Sequence, residues 1–139
     1  MNRILLVDDD SGIHELWRRF HDVMEPTFRG TCALDCASSL PEAISRMETT
    51  KYDAIILDLA LPPMGPEEVT HWIANNAERL PPIIVITGNT DPMMRQRCIA
   101  SGACHYFTKE DAQSFPHLFF KILYDEYLKS YATKGKAAP

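Results

Sequence analysis

The residues that could do chemistry each close an apolar run. Asp8, Asp9 and Asp10 follow Ile4-Leu5-Leu6-Val7, and Asp58 follows Ala54-Ile55-Ile56-Leu57. Thr87-Gly88 follows Ile83-Ile84-Val85-Ile86, and Lys109 lies two residues after Phe107. Carboxylates gathered without compensating charge repel one another, and their pKa values rise. A hard divalent cation relieves that repulsion. Mg²⁺ takes oxygen ligands, keeps several waters, and is held by one or two carboxylates together with phosphate. A single acid after a strand means little, being as a rule a solvated turn or a helix cap, and Asp10 is read as a cap. Asp8, Asp9, Asp58 and Lys109 are read as a set, because several strand ends match at once.

That reading needs elements that bring the strand ends together. Residues 4–7, 54–57 and 83–86 are continuous apolar runs of strand length, as expected of buried strands. Residues 31–37 make a further strand in which Cys32, Leu34 and Cys36 share a face. Residues 104–107 make a short fifth strand. Between them fall helical patterns. Ile13, Leu16, Trp17 and Phe20 share a stripe behind a cap at Asp10 or Ser11. Ser39-x-x-Glu42 opens a helix expected to bury Ala43, Ile44 and Met47. Val69, Trp72 and Ile73 mark a third helix. Asp91-Pro92 starts a fourth, which stops near Gly102. Phe115, Leu118, Phe119, Ile122, Leu123 and Tyr127 give a long fifth. Five strand-helix alternations with apolar strands predict an α/β domain, a parallel sheet covered on both faces. In such sheets the site lies at the carboxyl ends of the strands. The domain is expected over residues 1–130, with a disordered tail over 131–139.

Four segments then resemble the response-regulator receiver family. They are Leu5-Leu6-Val7-Asp8-Asp9-Asp10, Asp53-Ala54-Ile55-Ile56-Leu57-Asp58-Leu59-Ala60-Leu61-Pro62, Pro82-Ile83-Ile84-Val85-Ile86-Thr87-Gly88 and Gly102-Ala103-Cys104-His105-Tyr106-Phe107-Thr108-Lys109. They match in order and spacing across residues 3 to about 130. The resemblance implies a flavodoxin-like doubly wound sheet of order 2-1-3-4-5 with five helices. It implies that Asp58 is the phosphoacceptor, attacking a phosphohistidine or a small phosphodonor. Asp8 and Asp9 would hold Mg²⁺, Asp9 more directly, with the Ala60 backbone carbonyl as a further ligand. Lys109 would pair with a phosphoryl oxygen, and the Thr87 hydroxyl with another. Tyr106 would reorient when Thr87 moves, and Gly88 would leave the phosphoryl group room. The implied partner is a sensor histidine kinase or phosphotransfer protein. The switched surface is helix 4, strand 5 and helix 5, through which a homodimer is conceivable. Phe115, Phe119, Tyr124, Tyr127 and Tyr131 are more aromatics than one buried stripe needs.

The chain departs from the family at two places. Gly65-Pro66 replaces Asp-Gly, a change expected to leave a sound helix start, with Gly65 as N-cap and Glu67 and Glu68 in the first turn. Glu110 replaces the proline after the lysine, so the Lys109-Glu110 bond is expected to be trans and the following loop to differ. Ala60 and Asn89 occupy positions that vary in the family and tune phosphoryl lifetime.

Composition narrows the alternatives. A net charge of -5 does not suit a polyanion binder, so no nucleic acid is expected to bind this domain alone. No apolar run approaches a membrane span, and residues 1–7 are too short for a signal peptide, so a cytoplasmic protein is expected. Cys32, Cys36, Cys98 and Cys104 lack zinc spacing and are read as reduced core residues. His14, His21, His71, His105 and His117 are read as surface or partly buried, and Met93, Met94 and Trp72 as packing. No nucleotide-binding glycine motif is present. A flavodoxin-like fold alone would also accommodate FMN, but fold is not function. The chain is expected to be a switch that modifies only itself rather than an enzyme. One alternative is a degenerate receiver that binds partners without phosphorylation. Another is a Mg²⁺-dependent phosphatase, which would want a second acid where Ala60 stands.

Overall fold

The computed structural model describes residues 2–24, 32–88 and 91–128. Five strands, β1 (Asn2–Val7), β2 (Cys32–Ala37), β3 (Ala54–Leu57), β4 (Ile83–Thr87) and β5 (His105–Thr108), form one sheet of order β2-β1-β3-β4-β5. Every neighbouring pair is parallel. The helices are α1 (Ser11–Met24), α2 (Leu40–Thr49), α3 (Pro66–Asn76), α4 (Pro92–Ser101), α5 (Lys109–Ser114) and α6 (Pro116–Leu123). A 3₁₀ turn, Ala77–Arg79, follows α3, and a π turn, Tyr124–Leu128, follows α6. Among the described residues, no helix is long and apolar enough to cross a membrane.

The two-residue side-chain period of a strand explains why these runs are apolar throughout. Leu5, Val7, Ile55, Leu57, Ile83 and Val85 face one layer, with Ala43 of α2, Val69 and Ile73 of α3, and Met94 and Cys98 of α4. Ile4, Leu6, Ala54, Ile56, Ile84 and Ile86 face the other, with Trp17 of α1 and Phe119, Phe120 and Leu123 of α6. Trp17 is the centre of that second layer, its ring centroid 5.4 Å from Phe20, 5.0 Å from Phe119 and 5.7 Å from Phe120.

Local chemistry sets the helix starts. The Ser39 hydroxyl accepts from the Glu42 amide at 3.2 Å, and the Asp91 carboxylate accepts from Met93 at 3.0 Å. Gly65 caps α3 ahead of Pro66, and its amide donates to Glu68 Oε1 at 3.4 Å. Asp10, not Ser11, caps α1, its Oδ1 accepting from Gly12 at 2.8 Å.

Several expectations need correction. The fifth helix is two helices. Phe115 precedes Pro116, and a residue in that place is pushed out of the helical region. Its backbone sits at φ -129°, ψ 58°, and its ring is 62% exposed instead of buried. Leu118 is exposed as well, and Phe120 takes its place in the core. No loop follows Lys109, since α5 begins there, capped by the Thr108 hydroxyl, which accepts from Asp111 at 3.1 Å. Pro62-Pro63 is the only cis bond among the described residues, so Lys109-Glu110 is trans as expected. Ile44 and Met93 are exposed where packing was expected, while Leu40 and Met94 are buried. All four cysteines are free and three are buried, but Cys104 is exposed. His14 and His21, read as surface or partly buried, are buried outright. The expectations for Thr31, Asn89, Tyr131, the Tyr127 side chain and the 131–139 tail lie outside what is described.

Gly102 ends α4 at φ +121°, a conformation L side chains rarely adopt, and a β-carbon there would lie 2.6 Å from Ala77 Cβ. Gly102→Ala should therefore cost about 1–3 kcal/mol in urea unfolding. A loss below about 0.5 kcal/mol, the size of an ordinary surface change, would show that the α4–β5 turn is not constrained in this way.

Candidate functional site

β1 and β3 are adjacent, so their carboxyl ends place Asp8 and Asp58 side by side. The Asp8 amide donates to Ala37 O and the Asp58 amide to Val7 O, each at 3.0 Å, which continues the ladder one residue past each strand. Both residues are buried, at 2% and 3% exposure. Lys109 reaches across from the end of β5, its Nζ 2.9 Å from Asp58 Oδ2 and 3.2 Å from Asp8 Oδ2. One ammonium thus bridges two buried carboxylates.

The remaining carboxylate atoms have local partners. Asp8 Oδ1 accepts from the Asp10 amide at 2.9 Å, and Asp58 Oδ1 from the Ala60 amide at 3.0 Å. Asp58 Oδ2 is fully buried and makes no aligned hydrogen bond, only the ion pair with Lys109. Asp9 is exposed, and its ligand atom lies with those of Asp8 and Asp58 in a cluster spanning no more than 4.8 Å.

Electrostatics follow from this geometry. Burial pushes the Asp8 carboxyl above its ordinary 3.8, and the Asp58 charge adds to the rise. The Asp10 amide and the Lys109 ammonium pull against it without cancelling it. Burial alone would lower Lys109, but its close pairing with the Asp58 carboxylate and the nearby Asp8 charge outweigh that and hold it above 10.5. A site with three carboxylates and one lysine still has excess negative charge. Its donors are all oxygen, closely grouped, and include a buried carboxylate oxygen lacking a hydrogen bond. That set fits a hard divalent cation.

The other expected residues lie around this cluster. Thr87 is buried at the end of β4, in register with Thr108. Tyr106, in register with Val85, is half-buried and packs against the α2–α4 layer. Burial raises its phenol pKa, and Cys98 and Asp91 add to the rise. Ala60 is exposed beside Asp58. A β-carbon at Gly88 would meet no protein atom within 4 Å, so packing does not demand glycine there.

His14 was not singled out by sequence, yet it touches the site, its Nε2 donating to the Asp8 carbonyl at 2.5 Å. The signal was present as spacing. His14, Trp17 and His21 recur at helical intervals and form the buried line of α1.

The comparisons with known proteins agree with this architecture. The family model described as the response regulator receiver domain matches residues 4–116. The response regulator MprA of Mycobacterium sp. (strain KMS) is 30% identical over 107 residues, 77% of this chain and 44% of that protein. The chain thus spans less than half the length of that curated relative. A CheY-like receiver domain protein from Methanospirillum hungatei superposes with a TM-score of 0.71 at 21% identity, covering 91% of this chain and 95% of that one. The response regulator TrrA from Thermotoga maritima, solved in complex with Mg²⁺-BeF, gives 0.62 at 28% identity, covering 88% and 96%.

A proton on Asp8 and a cation on the cluster exclude each other. The apo chain should lose stability as pH rises from 3.8 through Asp8's raised pKa, because the folded state holds that proton more tightly than the unfolded state. Millimolar Mg²⁺ should raise Tm most near neutral pH, and the gain should shrink as pH falls through the same range. Thermal unfolding with and without Mg²⁺ across pH checks this. A gain that persists undiminished at acid pH would remove Asp8 from the cation site.

Proposed function

Because the chain belongs to the response-regulator receiver domain family, we propose that it is a phosphorylation-controlled switch with Asp58 as its phosphoacceptor. The observation that carries this reading is Asp58 Oδ2, buried, lacking an aligned hydrogen bond and facing the Lys109 ammonium. Oδ1 is held by the Ala60 amide, which fixes the carboxylate and leaves Oδ2 as the attacking atom. It attacks the phosphorus of a phosphohistidine or of a small phosphodonor such as an acyl phosphate. A P–O bond to Asp58 forms, and the bond from phosphorus to the donor breaks. Phosphoryl transfer asks a protein for positioning and charge neutralisation more than for covalent chemistry.

The residues divide that work. Lys109 pairs with a phosphoryl oxygen as charge develops on it. Asp8, Asp9, Asp58 and the Ala60 carbonyl would hold Mg²⁺, which when bound neutralises the phosphoryl oxygens further. The all-oxygen donor set supports this, as does the likeness to TrrA, solved with Mg²⁺-BeF. The reaction is confined to the chain's own aspartate, and the donor is a sensor histidine kinase, a phosphotransfer protein or a small molecule.

Output follows from what lies next to Asp58. The Thr87 hydroxyl binds a further phosphoryl oxygen, and its shift opens room for Tyr106. That side chain lines an open surface groove with Pro92, Arg95 and Ile122, so its movement alters α4, β5 and α6 together. The phosphoryl group shifts this equilibrium only by its differential affinity for the two states. Met93, Ile99, Phe115 and Leu118 are the exposed apolar residues of that region, available to a partner protein or a second copy of the chain.

Acetyl phosphate with Mg²⁺ should add one phosphoryl mass to the intact chain, and Asp58→Ala should add none. In the modified chain, amide exchange should change over residues 91–128. A phosphoryl group on Asp58→Ala would place the nucleophile elsewhere. Exchange altered only beside Asp58 would remove the proposed route of output.

A further inference from the structure

The Asp8–Asp10 segment is a short bridge between β1 and α1, and its geometry decides where the carboxylates of Asp8 and Asp9 point. Asp8 is held at every polar atom. Its amide donates to Ala37 O at 3.0 Å, Oδ1 accepts from the Asp10 amide at 2.9 Å, and Oδ2 lies 3.2 Å from Lys109 Nζ. The remaining atom is its backbone carbonyl, and that accepts from His14 Nε2. A carbonyl only accepts, so Nε2 carries a hydrogen whatever the state of Nδ1.

This bond acts beyond Asp8. The carbonyl belongs to the planar peptide joining Asp8 to Asp9. Fixing its direction fixes the plane from which Asp9 departs, and Asp9 itself is exposed. One peptide further on, the Asp10 carbonyl accepts from the amides of Ile13 and His14 at 3.1 and 3.2 Å. The first turn of α1 therefore grips the acidic bridge at two carbonyls, and His14 supplies a bond to each. His21, two turns along the same helix face, makes a similar bond to Cys32 O at 2.9 Å, at the far end of β2 from the acids. That residue is an internal control, having the same chemistry on the same helix without the acidic cluster.

We propose that His14 is a positioning residue for the acidic site: its Nε2–H, bonded to the Asp8 carbonyl, holds Asp8 and Asp9 in the arrangement that takes a divalent cation. The inference rests on the cation reading of Asp8, Asp9 and Asp58. Partners of this kind, which orient ligands without touching the metal, typically change metal affinity by about 10- to 100-fold when removed. Glutamine keeps a donor close to where Nε2 stands, whereas leucine fills the space without one.

The test is calorimetric titration of the full chain with MgCl₂, below the melting temperature of every variant. His14→Leu should bind Mg²⁺ about 10-fold or more weakly, and His14→Gln should recover most of that loss. His21→Leu should lower Tm while leaving Mg²⁺ affinity at the wild-type value. If His14→Leu does not fold, His14→Asn, whose amide is one carbon too short to reach the carbonyl, replaces it. Wild-type affinity in the donor-less His14 variant overturns the proposal, as does a glutamine variant no better than it, or an equal loss in His21→Leu. Wild-type protein that binds no Mg²⁺ overturns the cation reading itself, so the two failures are distinguishable.

Discussion

Two buried carboxylates share one lysine at the carboxyl edge of the sheet, and much of the structure is arranged around that charge imbalance. Asp8 and Asp58 stand next to each other because β1 and β3 are neighbours. Lys109 comes from the far side, past β4, at the end of β5. Its ammonium lies within 3.2 Å of both acids, and without it two carboxylates would be buried against each other with amide donors alone. The balance is incomplete even so: burial, with the Asp58 charge added to it, still raises Asp8, and the excess of carboxylate oxygen fits a cation. Lys109 is held in turn by its own place in the chain. It is the first residue of α5, and Thr108 caps that helix, so the lysine backbone is fixed where strand becomes helix.

The rest of the fold supplies rigidity at that edge. Alternate residues of β1, β3 and β4 commit to opposite layers, and a slip of one residue would exchange the two faces. Leu5 and Val7 pack toward α2–α4, while Ile4 and Leu6 pack toward Trp17 and α6. The acids therefore sit at the ends of strands that cannot shift in register. α1 adds a second tie from below, through His14 to the Asp8 carbonyl.

What could be read in advance was what depends on local sequence. Apolar runs ended by acids gave β1 and β3, and the sheet that follows from their alternation with helices brings Asp8, Asp58 and Lys109 together. The caps at Ser39, Gly65 and Asp91 and the stop at Gly102 are short-range bonds, legible for the same reason. The helical period assigns Phe115 to the buried stripe, but the proline after it takes its backbone out of the helix and its ring into solvent. Thr108-x-x-Asp111 is a cap signal as local as the others, and it starts α5 at Lys109 where the absence of proline at 110 suggests only an altered loop. Ile44 and Met93 are exposed because hydrophobicity marks a residue as able to be buried without saying which helix face meets the sheet. The burial of His14 and His21 was hidden for the converse reason. A histidine is buried at little cost when a backbone carbonyl accepts from it, and those carbonyls belong to other elements.

In the proposed switch Asp58, and neither Asp8 nor Asp9, takes the phosphoryl group. Borohydride reduces an aspartyl phosphate, and not a free carboxylate, to homoserine, so it marks the modified residue chemically. The wild-type chain, treated with acetyl phosphate and Mg²⁺, reduced, digested and sequenced by tandem mass spectrometry, should carry homoserine at position 58 alone. Homoserine at position 8 or 9, or at none of the three in protein that has gained a phosphoryl group, would contradict the account.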